Sequence, residues 1–174
     1  MNRIETIASP GTLSNETVLK LDDEFRKMPQ VVIELQHQLS GGMYARTGII
    51  KAGCCLIGAQ HKTDHINILY GDISVSTDDG VKRLTGYHVL TTKAGNNRVG
   101  VAHSDTVWTT VCKTDETELD RIEDELVVES DRLQSRSPAL PVKPFGELLC
   151  SEFLRPQSEP ALQQVLAAHS SADC

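Results

Sequence analysis

Much of what would declare a chemistry is missing from this 174-residue sequence. Its five cysteines, Cys54, Cys55, Cys112, Cys150 and Cys174, are odd in number and form no CxxC pair. That argues against a disulfide framework or a thiolate zinc site, and for reduced, partly buried thiols in a cytoplasmic product. Cys54 and Cys55, adjacent on a strand, would point to opposite faces. No run approaches the roughly 18 apolar residues of a membrane span. The opening MNRIETIASPG lacks the apolar core of a secretory leader, so neither membrane attachment nor secretion by a signal peptide is expected. A net charge of -7 argues against nucleic-acid binding through a general basic surface. No G-x-S-x-G elbow accompanies His103, Ser104 and Asp105, and Gly95-Asn96-Asn97 falls short of a phosphate loop.

The charge that is present sits in one place. Residues Asp115 to Asp131 hold nine acids against the single base Arg121, and the rest of the chain comes to +1. Leu119, Ile122, Leu126 and Leu133 recur there at helical spacing, which predicts an acidic amphipathic helix over 115–134 that packs on its neighbour. Residues 1–28 read as an N-terminal arm with a short helix at 14–27, ended by Pro29. Residues 135–174 read as a linker around Pro138, Pro141 and Pro144 and a C-terminal tail. That tail has too little apolar surface to fold alone.

Between them, residues 29–114 have the texture of short strands. The expected strands are Val31–Gln36, Met43–Ile50, Cys54–Gln60, His65–Tyr70, Ile73–Thr77, Val81–Leu84, His88–Thr92, Arg98–Ala102 and Val107–Lys113. Turns are expected at Ser40-Gly41-Gly42, Lys51-Ala52-Gly53, Gly71-Asp72, Asp78-Asp79-Gly80 and Ala94-Gly95-Asn96-Asn97. Turn signals every eight to twelve residues mark a sandwich or barrel, not βαβ units. Asp79-Gly80 is the clearest hairpin.

Two stretches carry the polar residues, GAQHKTDHINILYGDISV from Gly58 and KAGNNRVGVAHSD from Lys93. With their Gly-Asp and Ala-Gly turns, residues 43–113 resemble the cupin superfamily, over about two-fifths of the chain. The resemblance implies a mostly β fold, a double-stranded β-helix or jelly-roll barrel. It also implies a divalent metal held by two histidines and a glutamate of a first motif and a histidine of a second. Set on Gly71, Asp64 takes the glutamate position, His61 the second histidine and Ala59 the first. Lys93-Ala94-Gly95 fills the second motif's turn, and Arg98 takes its histidine position. Alanine cannot ligate, and arginine is cationic without a lone pair. The resemblance therefore implies a degraded metal site.

Three uses of these residues stay open. Arg98 and Asp64, with His61, would make a vestigial pocket or a buried ion pair, each neutralising the other. His61, His65 and His103 would make an alternative metal set in a different register. A small anion could be held by Arg98 and Lys93. Alternation along the strand sends Arg98 inward if His103 points outward, and Asp64 inward if His65 points outward. His37 and His88 read as structural histidines, Trp108 as a strand residue covering a barrel end, and Cys112 as a small core residue.

The strings MYARTGIIKAGCCLIGAQHKTDHINILYGDISV and KAGNNRVGVAHSDTVWTTV are similar to small cupin-like proteins encoded by tailed bacteriophages. That resemblance implies a non-enzymatic structural or assembly protein, without a cofactor. It would be a virion accessory component of head, neck or tail, moving from host cytoplasm into the particle. Self-association and contacts with other virion proteins are the implied partners, without nucleic acid or membrane. The alternative is a metal-dependent cupin enzyme, a dioxygenase or sugar isomerase, with an atypical ligand set.

Overall fold

The computed structural model describes residues 15–28, 30–77 and 80–136. The expected turns around 78–79 and the expected tail from 137 onward therefore lie outside the described residues. Among the described residues two helices, α1 (Asn15–Phe25) and α2 (Leu119–Leu126), flank seven strands. The strands are β1 (Leu35–Ser40), β2 (Met43–Ile50), β3 (Cys55–Ile57), β4 (His65–Thr77), β5 (Gly80–Thr92), β6 (Val99–Ala102) and β7 (Thr106–Lys113). All pair antiparallel in one curled sheet ordered β1-β2-β7-β4-β6-β3, with β5 on the other edge of β4. The expected mostly β fold is the one the chain adopts, its barrel formed as a single curled antiparallel sheet, a half-barrel.

The hairpin of β1 and β2 turns on Gly41 and Gly42, with φ of +58° and +76°. Both lie in the left-handed region that a two-residue mirror turn requires and glycine adopts without strain. This turn fixes the register Ser40↔Met43, so the strand runs over 35–40 and not over the expected Val31–Gln36.

The second correction concerns Gly71-Asp72, expected as a turn. β4 runs through it for 13 residues and pairs with β5 along its whole length, merging two expected strands on each side. What changes at Gly71 is the partner on the other edge. Residues 66–70 pair with β7, whereas 73–75 pair with β6. The sheet therefore curls there, and Thr106 presses onto the backbone. A Cβ at residue 71 would stand 2.7 Å from Thr106 Cα. The glycine is needed for that close approach.

Strand alternation sorts the residues into a filled concave side and an outer face. Ile50, Leu69, Ile73, Val75 and Ala102 form the middle of the core, with Leu56, Leu84, Leu90 and Trp108 against them. One end of this core is closed by Ile122, Leu126, Val127 and Leu133 on Tyr44 and Cys112. Val18 and Leu21 of α1 pack on Val99 and Ile57, on the face of β6 and β3 opposite Gly100 and Leu56.

The expected helix over 115–134 is shorter than its stripe suggested. It ends at Leu126 because Val127 takes extended angles (φ -114°, ψ 139°) and bridges His61 as a strand would. Val128 N donates to Gln60 O (2.9 Å), and Lys62 N to Leu126 O (2.8 Å). Two β-branched residues favour that extended course over another helical turn. Two short 3-10 turns follow, at Ser130–Arg132 and Gln134–Arg136. Arg132 then ties this segment to α1 through Asp22 (2.5 Å) and Asp23 (2.6 Å).

Candidate functional site

The concave side of the sheet carries most of the polar groups that the core does not explain. Across β2, β7, β4 and β5, one inward layer reads Arg46, Thr110, Asn67, Leu90. Layers beside it contribute Tyr44 and Cys112 on one side and Trp108 and Leu69 on the other. Asn67 is the hub. Its Oδ1 accepts from Trp108 Nε1 (3.0 Å) and from the Thr110 hydroxyl (2.7 Å), and its Nδ2 donates to Thr92 Oγ1 (2.9 Å). Arg98 joins by donating Nε–H to the same Thr92 oxygen (3.3 Å) and Nη1–H to Ser76 O (2.9 Å). The acceptors in this network are all neutral, and the remaining N–H groups of Arg98 have no partner among the described residues.

His61 and His65 lie ring against ring beside it, with centroids 4.2 Å apart. The backbone of His61 is held from two sides, by the bridge to Val127 and by Gly95 N donating to His61 O (2.8 Å). Its Nδ1 is 3.6 Å from Cys112 Sγ. His65 donates Nδ1–H to Thr63 O (3.1 Å), which leaves a lone pair on Nε2. Burial, then the neighbouring His65 and Arg46, push His61 down to about 4. Burial lowers His65 as well. Burial also raises the Cys112 thiol to about 11 and the Tyr44 phenol to about 12. At neutral pH the imidazoles, thiol and phenol are all uncharged, and the charge on this side belongs to arginine.

The residues singled out from the sequence divide. Arg98 turns inward, as alternation allowed. Asp64 turns outward with its side chain 59% exposed, accepting from Lys93 Nζ (2.7 Å) and Ala94 N (2.9 Å). The expected Asp64–Arg98 ion pair is thus not formed, and His65, not Asp64, faces the interior. The cause is that β4 begins at His65, so Asp64 belongs to the connection before it and clips the Lys93-Ala94-Gly95 turn from outside. Lys93, engaged by Asp64, does not join Arg98 around an anion.

The set His61, His65 and His103 is also divided. His103 lies across the sheet, its Nε2 2.8 Å from the Oγ of Ser74, whose side chain points away from Ile73 and Val75. His37 bonds the Tyr44 hydroxyl (2.7 Å) and His88 bonds Thr85 O (3.0 Å), as structural histidines do. Trp108 faces inward and donates to Asn67, where a cover over the barrel end was expected. Cys112 is buried.

A divalent metal does not fit these residues. Among the described residues no three His, Cys, Asp or Glu side chains converge as a metal-holding group. Two imidazoles are present, but the carboxylate and the third imidazole point elsewhere, and the cation Arg98 acts on His65.

Sequence reasoning missed two groups. Arg46 shares the inward face of β2 with Tyr44, Gly48 and Ile50, and that alternation was the available signal. Glu123 is 3% exposed, accepting from Arg136 Nε (2.9 Å) and Ser135 Oγ (3.0 Å), and nothing in the acidic run marks it out.

The outer face of the same strands is a second feature. Ile49, Val107, Tyr70 and Tyr87 stand side by side across four strands. Next come Thr47, Thr109, Ile68 and Val89, then Ala45, Val111, Ile66 and Thr91. None of the twelve carries a charge. Tyr70, Tyr87 and Val89 are 65%, 66% and 55% exposed. Charge returns at the rim, in Lys113 and in the Asp72–Arg83 pair (2.7 Å).

No family model matches the sequence, and no curated protein matches it. Solved structures that are similar include a cupin superfamily protein from Desulfitobacterium hafniense, with 15% identity, TM-score 0.41, and 48% of this chain on 79% of that one. KdgF from a Halomonas species gives 14% identity, TM-score 0.41, and 48% on 82%. Ectoine synthase from P. lautus gives 15% identity, TM-score 0.43, and 57% on 76%. No helix among the described residues is long and apolar enough to cross a membrane.

Proposed function

We propose that this chain is a non-enzymatic assembly protein whose copies join through the outer face of the sheet. The observation that carries the reading is the uncharged, largely apolar patch of twelve residues on β2, β7, β4 and β5. Ile49, Ile66, Tyr70, Tyr87, Val89 and Val107 are all exposed there. Side chains of this size, so exposed, present on the order of 600 Å², the upper end for apolar patches on monomers and most of the roughly 800 Å² one partner contributes to a standard interface. A face without charge meets its own copy with no like charges opposed, which suits a second copy of this chain as the occupant. The resemblance to small cupin-like proteins of tailed bacteriophages supplies the setting, a virion accessory component. The alternative, a metal-dependent cupin enzyme, is disfavoured because its ligand positions do not converge.

Sedimentation velocity of the full chain tests the self-association. The wild type should form a dimer or larger oligomer at about 100 µM, and a Tyr70→Arg, Val89→Arg double variant should sediment as a folded monomer. A wild type that stays monomeric at that concentration refutes it. Mass spectrometry of purified particles tests the setting, and a protein absent from them is not a virion component.

A further inference from the structure

The concave side of the barrel holds two guanidiniums, and among the described residues no carboxylate is bonded to either. Arg98 has only neutral acceptors, the Thr92 hydroxyl and the Ser76 carbonyl. Arg46, half-buried in the layer with Thr110 and Asn67, has no hydrogen bond or ion pair among the described residues. The carboxylate lying toward Tyr44 and His37 from the closing segment is Glu123, and Arg136 and Ser135 occupy its oxygens. Asp64 is outside on Lys93. Cations drawn out of water without a counter-charge are unfavourable, and a guanidinium with its fork unfilled is built to take carboxylate or phosphate oxygens. His61 lies within the field of Arg46 and His65 within that of Arg98, and both rings are uncharged. His65 spends its one N–H on Thr63 O, so only His61 can add an N–H donor.

The geometry points to a binding site for a small carboxylate- or phosphate-bearing anion on the concave side, with Arg46 and Arg98 as its charged contacts. The two uncharged imidazoles are its neutral lining. This site is separate from the outer face and does not depend on the assembly reading. It differs from an anion held by Arg98 and Lys93, because Lys93 is engaged elsewhere.

Calorimetric titration of the full chain at low ionic strength, with citrate and separately with inorganic phosphate, tests it. Saturable binding of one anion per chain is expected, and which probe saturates identifies a carboxylate or a phosphate ligand. Arg46→Gln should weaken that binding by about tenfold or more, the loss of one charge-assisted fork. Lys93→Gln should leave it unchanged. Because Arg98 also holds Thr92 and Ser76, Arg98→Gln could fail to fold. Arg46 makes no hydrogen bond or ion pair among the described residues, so its replacement is the deciding variant. In a parallel imidazole NMR titration, His61 and His65 should shift on anion addition and His103 should not. Failure of both anions to saturate by about 10 mM overturns the site. So does an equal weakening by Lys93→Gln and Arg46→Gln, which would mark general surface attraction.

Discussion

His61 and His65 face each other inside the barrel with ring centroids 4.2 Å apart and planes tilted by 38°. Among the described residues neither ring is bonded to a carboxylate. Burial acts first on both, with Arg46 adding positive charge near His61 and Arg98 near His65, against a smaller opposing pull of Asp64 on His65. A proton placed on either imidazole would be poorly solvated there, with an arginine in its neighbourhood.

A pH dependence follows. In the unfolded chain these histidines titrate near 6.5, whereas folded His61 is pushed to about 4 and His65 is lowered in the same sense. Below pH 6.5 the unfolded state takes up protons that the folded state refuses. Stability is therefore whole above that value and falls as pH drops toward about 4, with His61 contributing at most roughly 3 kcal/mol of the fall. Urea unfolding at about pH 7.5 and about pH 5 should show the loss, and His61→Asn should flatten it. A level profile across that window would show that the imidazoles are not desolvated as described.

Asn67 is the second test. One oxygen serves both Trp108 and Thr110, and the amide nitrogen serves Thr92. Replacing it by leucine fills the space but leaves those buried groups without their partner, which should cost about 2–4 kcal/mol in chemical denaturation. Aspartate keeps an acceptor but not the donor to Thr92, and should be less damaging near the arginines than leucine. If leucine is tolerated within about 0.5 kcal/mol, the network is not what orders the interior.

Glu123 and Arg136 make a third. The carboxylate is almost fully buried on α2 with Arg136 Nε 2.9 Å away. Arg136→Met strands a buried charge and should destabilise the chain by about 3–5 kcal/mol. Changing Glu123 to leucine in the same chain should recover most of that loss, because an apolar pair avoids the desolvation penalty. A double variant no more stable than Arg136→Met alone would contradict the assignment of that cost to an unpaired carboxylate.

What could be read from the sequence was what depends on local pattern. Turn glycines placed the β1–β2 hairpin, and alternation from Arg98 to His103 tied the two to opposite faces without saying which was inside. Asp64 was misplaced because motif spacing counted from Gly71 gives sequence distance, not the residue at which pleating begins. Gly71-Asp72 looked like a turn because glycine serves both a turn and the close passage of another strand. Only the position of Thr106, far along the chain, decides between them. The pairing of Glu123 with Arg136 was likewise hidden, since which of nine acids is buried depends on how α2 meets Tyr44 and Cys112.

Metal content gives the last prediction, and it bears directly on function. His65 spends Nδ1 on Thr63 O and keeps one lone pair, and His61 lies against a thiol that burial keeps protonated up to about 11. Two imidazole donors without a carboxylate or thiolate form at best a weak site for zinc, manganese or iron. The purified full chain, loaded with each metal and dialysed, should retain less than about 0.1 equivalent. His61→Ala and His103→Ala together should leave that figure unchanged. Retention near one equivalent, abolished in the double variant, would require a rearranged register that brings His103 inside. It would replace the assembly reading with that of a metal-dependent enzyme.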